Sequence, residues 1–269
     1  MDQDQNKLYE PPKVVWDGRD RGMSRRICFA FAKGCGGEIV KCGEGNFHSI
    51  ATYGIKRGVE KCIREAKTFW HIDNAYFGGQ TSLSPKQDQF FRITKNKIMH
   101  DGSGNFSWDR FNSFGLPLKE WRKDGKHIVL VPPDKTMAKF LGIEDWLDNS
   151  IDYLTKNSNR KIIISRRPKS LGLNEWLMSG KEKGITHMNL SDALRDAWVL
   201  ITDHSNAMVQ ALIEGVPVIC TNKDRRIGSL ETIESPPLER DILRNIAYNQ
   251  WTLQEIKSGK AWGELNRWG

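Results

Sequence analysis

The sequence predicts an α/β protein built from two Rossmann-like halves that meet near residue 125, the second of them doubly wound. Two observations predict it. Short apolar runs of strand length, among them HIVLV at 127–131, KIIIS at 161–165 and WVLIT at 198–202, alternate with stretches whose apolar residues recur at helical spacing. The links between these stretches are a few residues long, and strand–helix–strand alternation of this kind builds parallel sheets.

Residues 1–25 are polar apart from VVW at 14–16 and are predicted to form an arm or loose edge segment. ICFAFA at 27–32 has the length and composition of a buried strand, followed by the glycine-rich loop Lys33-Gly34-Cys35-Gly36-Gly37. From about 49 to 67, Ile50, Tyr53, Ile55, Val59, Cys62, Ile63 and Ala66 recur at helical spacing, and TFWHID at 68–73 is strand-like again. Residues 78–125 are rich in Gly, Ser, Asn and Asp, with one further strand expected at 89–93.

The chain restarts at Asp124-Gly125. HIVLV at 127–131 is a strand ended by Pro132-Pro133, and a helix over 135–156 is interrupted near Gly142. The order then runs strand 161–165, helix 173–183, strand 186–188, and helical turns over 191–197 capped by Ser191. Strand 198–202, helix 205–214 ended by Gly215, and strand 216–221 (VPVICT) complete the second half. Residues 251–269 are expected to form a helical tail, and the sequence leaves open whether it packs back on the first half.

With 269 residues, 38% of them apolar, and 10 Trp, the chain has material for a core, which excludes wholesale disorder. No run approaches the ~20 apolar residues of a membrane span, and the polar start MDQDQNKLYEPPK lacks the apolar stretch of a secretory signal. Five cysteines, an odd number, fit reduced thiols in a cytoplasmic protein. Cys28, Cys35 and Cys42 recur ahead of His48, but structural zinc uses tighter Cys pairs, so no metal site is expected. The formal charge of +8 is uneven: residues 1–125 carry 21 Lys+Arg and 15 Asp+Glu, against 20 and 18 in residues 126–269. The first half favours a polyanionic partner, although a solvated basic surface gives the same count.

In open α/β sheets ligands bind beyond the carboxyl ends of the strands. After KIIIS stand Arg166-Arg167-Pro168-Lys169, and after WVLIT stand Asp203-His204-Ser205-Asn206, leading into a helix. Cations beside a helix start suit a diphosphate, since Arg pairs with phosphate oxygens in bidentate fashion. Glu214, at the far end of that helix, has the chemistry to accept hydrogen bonds from ribose hydroxyls. Each piece has a plainer alternative: Ser205 or Asp203 as a helix cap, the cations as a solvated turn, and Glu214 as an exposed residue before a glycine cap.

The segment 196–221, DAWVLITDHSNAMVQALIEGVPVICT, resembles the donor-binding segment of GT-B glycosyltransferases and of the capsule-sugar and glycerophosphate transferases built on that plan. The resemblance covers mainly residues 126–222. It implies two Rossmann-like domains facing each other across a cleft, with 1–125 binding the acceptor and 126–250 binding a nucleotide sugar, UDP-linked by first expectation. Neither a cofactor nor a metal is implied. Carried over, Arg166, Lys169, His204, Ser205 and Asn206 face the donor diphosphate and Glu214 the ribose. Gln210-Ala211 stands where the family often has Glu-Ala, which leaves the register of the acidic residue open. Gly34 and Gly36 fall where the family has a glycine loop facing the donor.

ATYGIKRG at 51–58 and IDNAYF at 72–77 are similar to phage-encoded glycosyltransferases, a group that includes enzymes decorating hydroxymethylated pyrimidines in phage DNA. This implies a DNA acceptor in the cytoplasm of a host cell. An inverting reaction needs a base for the acceptor hydroxyl, and Asp73 at a strand end is the first candidate, with His48 second. Asp73-Asn74 is equally suited to an Asx turn or helix cap. No D-x-D pair follows a strand, which argues against a metal-dependent transferase. For DNA, Arg92, Lys95 and Lys97 in FFRITKNK and Arg110 in WDRF interleave cations with aromatics, although such aromatics also serve as core with the cations reaching outward. A transferase for cell-surface glycans or polyol phosphates, and a non-catalytic nucleic-acid-binding protein, are the alternatives.

Overall fold

The computed structural model describes residues 10–18, 22–55, 58–77, 89–166 and 186–268. The predicted helix at 173–183 and Lys169 lie outside the described residues. In chain order the elements are β1 (Lys13–Trp16), α1 (Met23–Cys35), β2 (Ile39–Lys41), β3 (Ser49–Tyr53), α2 (Val59–Glu65), β4 (Thr68–Asn74) and β5 (Phe90–Lys95). There follow α3 (Asp109–Asn112), β6 (His127–Val131), α4 (Lys135–Leu141), α5 (Trp146–Asn157), β7 (Lys161–Ser165), β8 (Thr186–Met188), α6 (Leu190–Leu194) and β9 (Ala197–Thr202). The chain ends with α7 (Ala207–Ile213), β10 (Val218–Cys220), α8 (Asp241–Ala247), β11 (Gln250–Thr252), α9 (Leu253–Lys257) and α10 (Lys260–Trp268). It divides into two compact units, residues 1–100 with 246–269 and residues 101–245, so the first division falls after His100 and not at 125.

The first unit holds a six-stranded sheet in the order β11-β5-β4-β3-β1-β2. Strands β1 to β4 run parallel, β5 is antiparallel to β4, and β11 is antiparallel to β5. VVW, expected in a loose arm, is strand β1 with β2 and β3 on either side, and Val14 and Val15 are buried. ICFAFA, expected as a strand, is the middle of α1. That helix buries Ser24, Ile27, Cys28, Ala30, Phe31, Ala32 and Cys35 between the sheet and the C-terminal helices, so the stretch lacks the polar face that would have marked it as helical. The expected helix over 49–67 is in fact β3 followed by the short α2.

The supposed glycine loop after the first strand is therefore the end of a helix. Gly36 takes the left-handed conformation at φ 75 as the C-cap of α1, and the Gly37 N–H donates to the Ala32 carbonyl at 3.0 Å. Gly34 lies inside α1, where a Cβ would sit 2.0 Å from the Ile256 carbonyl oxygen of α9. Gly36 is there for its backbone conformation and Gly34 for close packing.

The second unit holds a five-stranded, wholly parallel sheet in the order β10-β9-β6-β7-β8. Strands buried on both faces read as continuous apolar runs, and Ile128, Leu130, Ile162, Ile164, Val199, Ile201 and Ile219 form its core with Ile151 and Leu154 of α5. Gly142 ends α4 in the left-handed conformation at φ 68, which splits the expected long helix into α4 and α5. Two caps differ from expectation. Asn189, not Ser191, caps α6 by accepting from the Asp192 N–H, and α7 starts at Ala207, not at Ser205.

Candidate functional site

In the second unit the chain leaves β6 toward β7 on one side and later returns to β9 on the other. Strand order reverses between β6 and β9, and the crevice outside their carboxyl ends is where an open α/β sheet takes its ligand. Pro132-Pro133-Asp134 follows β6, Arg166 follows β7, Asp203 to Asn206 follow β9, and Thr221-Asn222 follow β10. The sheet thus brings Arg166, His204, Ser205 and Asn206 to one edge although their sequence positions are far apart.

Hydrogen bonds stiffen this edge. Thr202 Oγ1 donates to the Val131 carbonyl at 2.7 Å and ties β9 to β6 at the point of reversal. Asp203, buried, accepts from Thr221 Oγ1 at 3.1 Å and from Asn222 Nδ2 at 3.2 Å. Trp146 Nε1 donates to Thr221 Oγ1 at 2.7 Å, so α5 joins the same network. Asp203 is the residue that sequence reasoning underrated. An acid directly after WVLIT suits a helix cap, whereas here it is the bracket between two strand ends.

Arg166 is half-buried, and its Nε has no hydrogen-bond partner among the described residues. Burial pushes its pKa down, and the Asp148 carboxylate opposes that shift. A guanidinium partly withdrawn from water at a ligand edge favours an anion that restores its lost solvation. The helix start contributes less than the sequence suggested. Helix α7 spans only two turns, and its Ala207 N–H already donates to Ser205 Oγ at 3.1 Å.

Glu214 is not brought to this edge. It is the C-cap of α7, ahead of β10, and so lies at the amino edge of the same sheet, ion-paired with Lys119. There it lines a cavity of about 410 Å3 with Lys119, Arg122, Ser191, Arg195 and Gln210. Neither register of the family's acidic residue, at 210 or at 214, faces the carboxyl edge.

In the first unit Asp73 lies near the carboxyl end of β4. Arg92 NH2 donates to its Oδ2 at 2.8 Å and the Asn74 N–H to its Oδ1 at 2.7 Å. Arg92 is buried, with its guanidinium 4.9 Å from the centre of the Tyr76 ring, so it is part of the core and not a phosphate-facing cation. Lys95 lies at the opposite end of β5, opposite Trp70, with exposed Lys97 just beyond, and Arg110 belongs to the other unit. Within the first unit the expected basic surface is therefore split, with Arg92 in the core and Lys95 and Lys97 at the end of β5. His48, the second candidate base, is exposed just before β3, at the amino edge and away from Asp73. Its carbonyl accepts from the Lys67 and Thr68 N–H groups.

A buried glutamine that no sequence signal marked fixes the turn after β4. Gln250 Oε1 accepts from the Tyr76 N–H at 2.9 Å, and its Nε2 donates to the Phe77 carbonyl at 2.8 Å. Among the described residues no cluster of three or more His, Cys, Asp or Glu is placed to hold a metal ion. No helix among them is long and apolar enough to cross a membrane.

No protein-family profile matches the sequence, and no curated protein matches it. Among solved structures the chain is similar to the β-Kdo 2,4-transferase of KpsC from Thermosulfurimonas dismutans. That likeness has a TM-score of 0.51 at 14% identity and covers 89% of this chain and 90% of that one. It is similar also to the β-Kdo 2,7-transferase of the same KpsC, with a TM-score of 0.51 at 13% identity over 94% of this chain and 98% of that one. At such identity the likeness is one of fold: a mixed α/β chain with parallel sheets.

Proposed function

We propose that the protein is a glycosyltransferase that holds a nucleoside-diphosphate sugar at the carboxyl edge of the β10-β9-β6-β7-β8 sheet and passes the sugar to an acceptor hydroxyl. The observation that carries this reading is Arg166. It is a half-buried guanidinium after β7, beside the strand-order reversal, with a nitrogen that has no hydrogen-bond partner among the described residues. In glycosyl transfer the anomeric carbon becomes oxocarbenium-like while the diphosphate departs with its charge. A desolvated cation fixed in advance stabilises that departing charge without having to reorganise. Ser205 and Asn206 add polar contacts at the same edge, and UDP is the first nucleotide to test. In the first unit Asp73, whose carboxylate Arg92 holds in place, is the first residue to test by substitution as the base for the acceptor hydroxyl.

For the acceptor, two observations favour a carbohydrate hydroxyl over a hydroxymethylated pyrimidine in DNA. The similar structures are named as Kdo transferases, and Arg92, the centre of the expected basic surface, is buried. The DNA reading retains the surplus charge of the first unit in its support.

Titration calorimetry with UDP and other nucleotides tests the donor site. Arg166→Ala is expected to weaken nucleotide binding by roughly tenfold or more, the scale of one charge-assisted hydrogen bond. Glu214→Ala should leave it unchanged. Equal affinity of Arg166→Ala and the parent protein, or no nucleotide binding at all, overturns the reading. Labelled-sugar transfer to capsule-type oligosaccharides and to hydroxymethylated DNA separates the two acceptors.

A further inference from the structure

Cys42 and Cys62 have no place in the transferase reading, yet their sulfurs lie 3.6 Å apart. Cys42 follows β2 and Cys62 is in the middle of α2, so two elements that never pair through backbone meet through their thiols. Both are half-buried, whereas Cys28, Cys35 and Cys220 are buried and each directs its thiol at a backbone carbonyl. Reagent access and a partner sulfur coincide at this pair and at no other cysteine among the described residues. Cys42 is held by its backbone, its N–H donating to the Trp16 carbonyl at 2.9 Å. A Cβ on Gly58 would lie 3.3 Å from its sulfur, so the start of α2 packs directly on this thiol.

We propose that Cys42 and Cys62 form a reversible disulfide that locks α2 to the end of β2. The co-reactant is a small-molecule disulfide such as oxidised glutathione. The thiolate of one cysteine attacks a glutathione sulfur, the glutathione S–S bond breaks, and one glutathione thiolate leaves. The second cysteine, losing its proton to solvent, attacks the protein sulfur of that mixed disulfide. The Cys42–Cys62 bond forms and the second glutathione thiolate leaves, so two protein thiols are oxidised and one glutathione disulfide is reduced to two thiols. Burial and the neighbouring Cys62 thiol push the Cys42 pKa up to about 11, so the thiolate is scarce at Cys42 and exchange there is slow at neutral pH. The bond closes over a sequence separation of 20 residues and fixes the carboxyl edge of β1 and β2. This proposal is independent of the transferase reading.

The test is a redox titration of the whole protein in glutathione buffers, followed by alkylation in denaturant, intact mass and peptide mapping. The expected result is loss of two alkylatable thiols, a single cross-linked peptide pair containing Cys42 and Cys62, and full reversal by dithiothreitol. The oxidised form should melt roughly 5–10 °C higher, the rise expected for closing a loop of this size. Cys42→Ser should instead leave Cys62 with one bound glutathione, and Cys62→Ala gives the mirror result should the first variant fail to fold. Five alkylatable thiols across the whole titration overturn the proposal. So does a cross-link that forms no more readily than in urea, or one that lowers the melting temperature.

Discussion

His71 shows how a single side chain can be settled by its surroundings. It lies on β4, fully buried, and its Nδ1–H donates to the Ile98 carbonyl at 2.9 Å. A carbonyl only accepts, so the ring is the Nδ1-protonated neutral tautomer, and its Nε2 is left with no hydrogen-bond partner among the described residues. Burial drives the pKa from 6.5 down to about 4; Asp73 and the Ile98 carbonyl oppose the shift and Arg92 adds to it. The sign follows directly. Above pH 6.5 the ring is neutral in both folded and unfolded chains, and its contribution is fully present. Between pH 6.5 and 4 the unfolded chain takes up a proton that the folded chain refuses, so stability falls with pH, by about 3 kcal/mol in total. Urea unfolding at pH 7, 5.5 and 4.5, in steps across that window, should show this loss in the parent protein and a shallower one in His71→Asn. Identical slopes would place the acid sensitivity elsewhere. TFWHID was legible as a strand, but not the histidine's burial, because that depends on Ile98 returning over it after β5.

At the scale of elements, the second unit was more legible than the first, where only β4 and β5 were read correctly, and the reason is burial pattern. HIVLV, KIIIS and WVLIT are strands covered on both faces, and a short parallel strand gives such a run of five or six apolar residues between turns. ICFAFA matches the same template for a different cause, since α1 is covered by the sheet on one side and by α9 and α10 on the other. The partner that decided between strand and helix is some 220 residues further along the chain, and local periodicity carries no trace of it. The position of Arg166, Ser205 and Asn206 at the carboxyl edge was legible because strand ends can be read locally. Glu214 was misplaced because helix length, not residue type, decides which edge a residue reaches. The α1–α9 crossing also makes a quantitative prediction. A methyl group at Gly34 meets the Ile256 carbonyl at 2.0 Å and the Gly259 nitrogen at 3.1 Å, both backbone atoms that cannot turn aside. Gly34→Ala should therefore cost roughly 2–4 kcal/mol despite the better helix propensity of alanine. A loss below 1 kcal/mol in denaturant unfolding would mean that the two helices separate freely.

At the scale of the whole chain, charge and connectivity point to the same division. Residues 1–100 with 246–269 carry 20 Lys+Arg and 13 Asp+Glu, whereas residues 101–245 carry 21 and 20. The surplus thus belongs almost entirely to the first unit, more sharply than a cut at residue 125 suggested, and a polyanionic acceptor would be attracted there. That unit is completed only by the end of the chain. Strand β11 pairs with β5, setting Trp251 opposite Phe91, and Trp251, Ile256, Ala261 and Leu265 enter the same core as Val14, Phe31 and Trp70. A core shared by both ends of a sequence fails as one body when either end is damaged, while the second unit keeps its own core of Ile128, Leu130 and Val199. Trp251 is 1% exposed, and truncating it to alanine should remove about 3–5 kcal/mol. Buried cysteines report where that loss falls. In native-state labelling of Trp251→Ala, Cys28 and Cys35 of the first unit should become reactive at a denaturant concentration that leaves Cys220 protected. Simultaneous exposure of all three would show that the two units unfold as one and that the tail stabilises the whole chain.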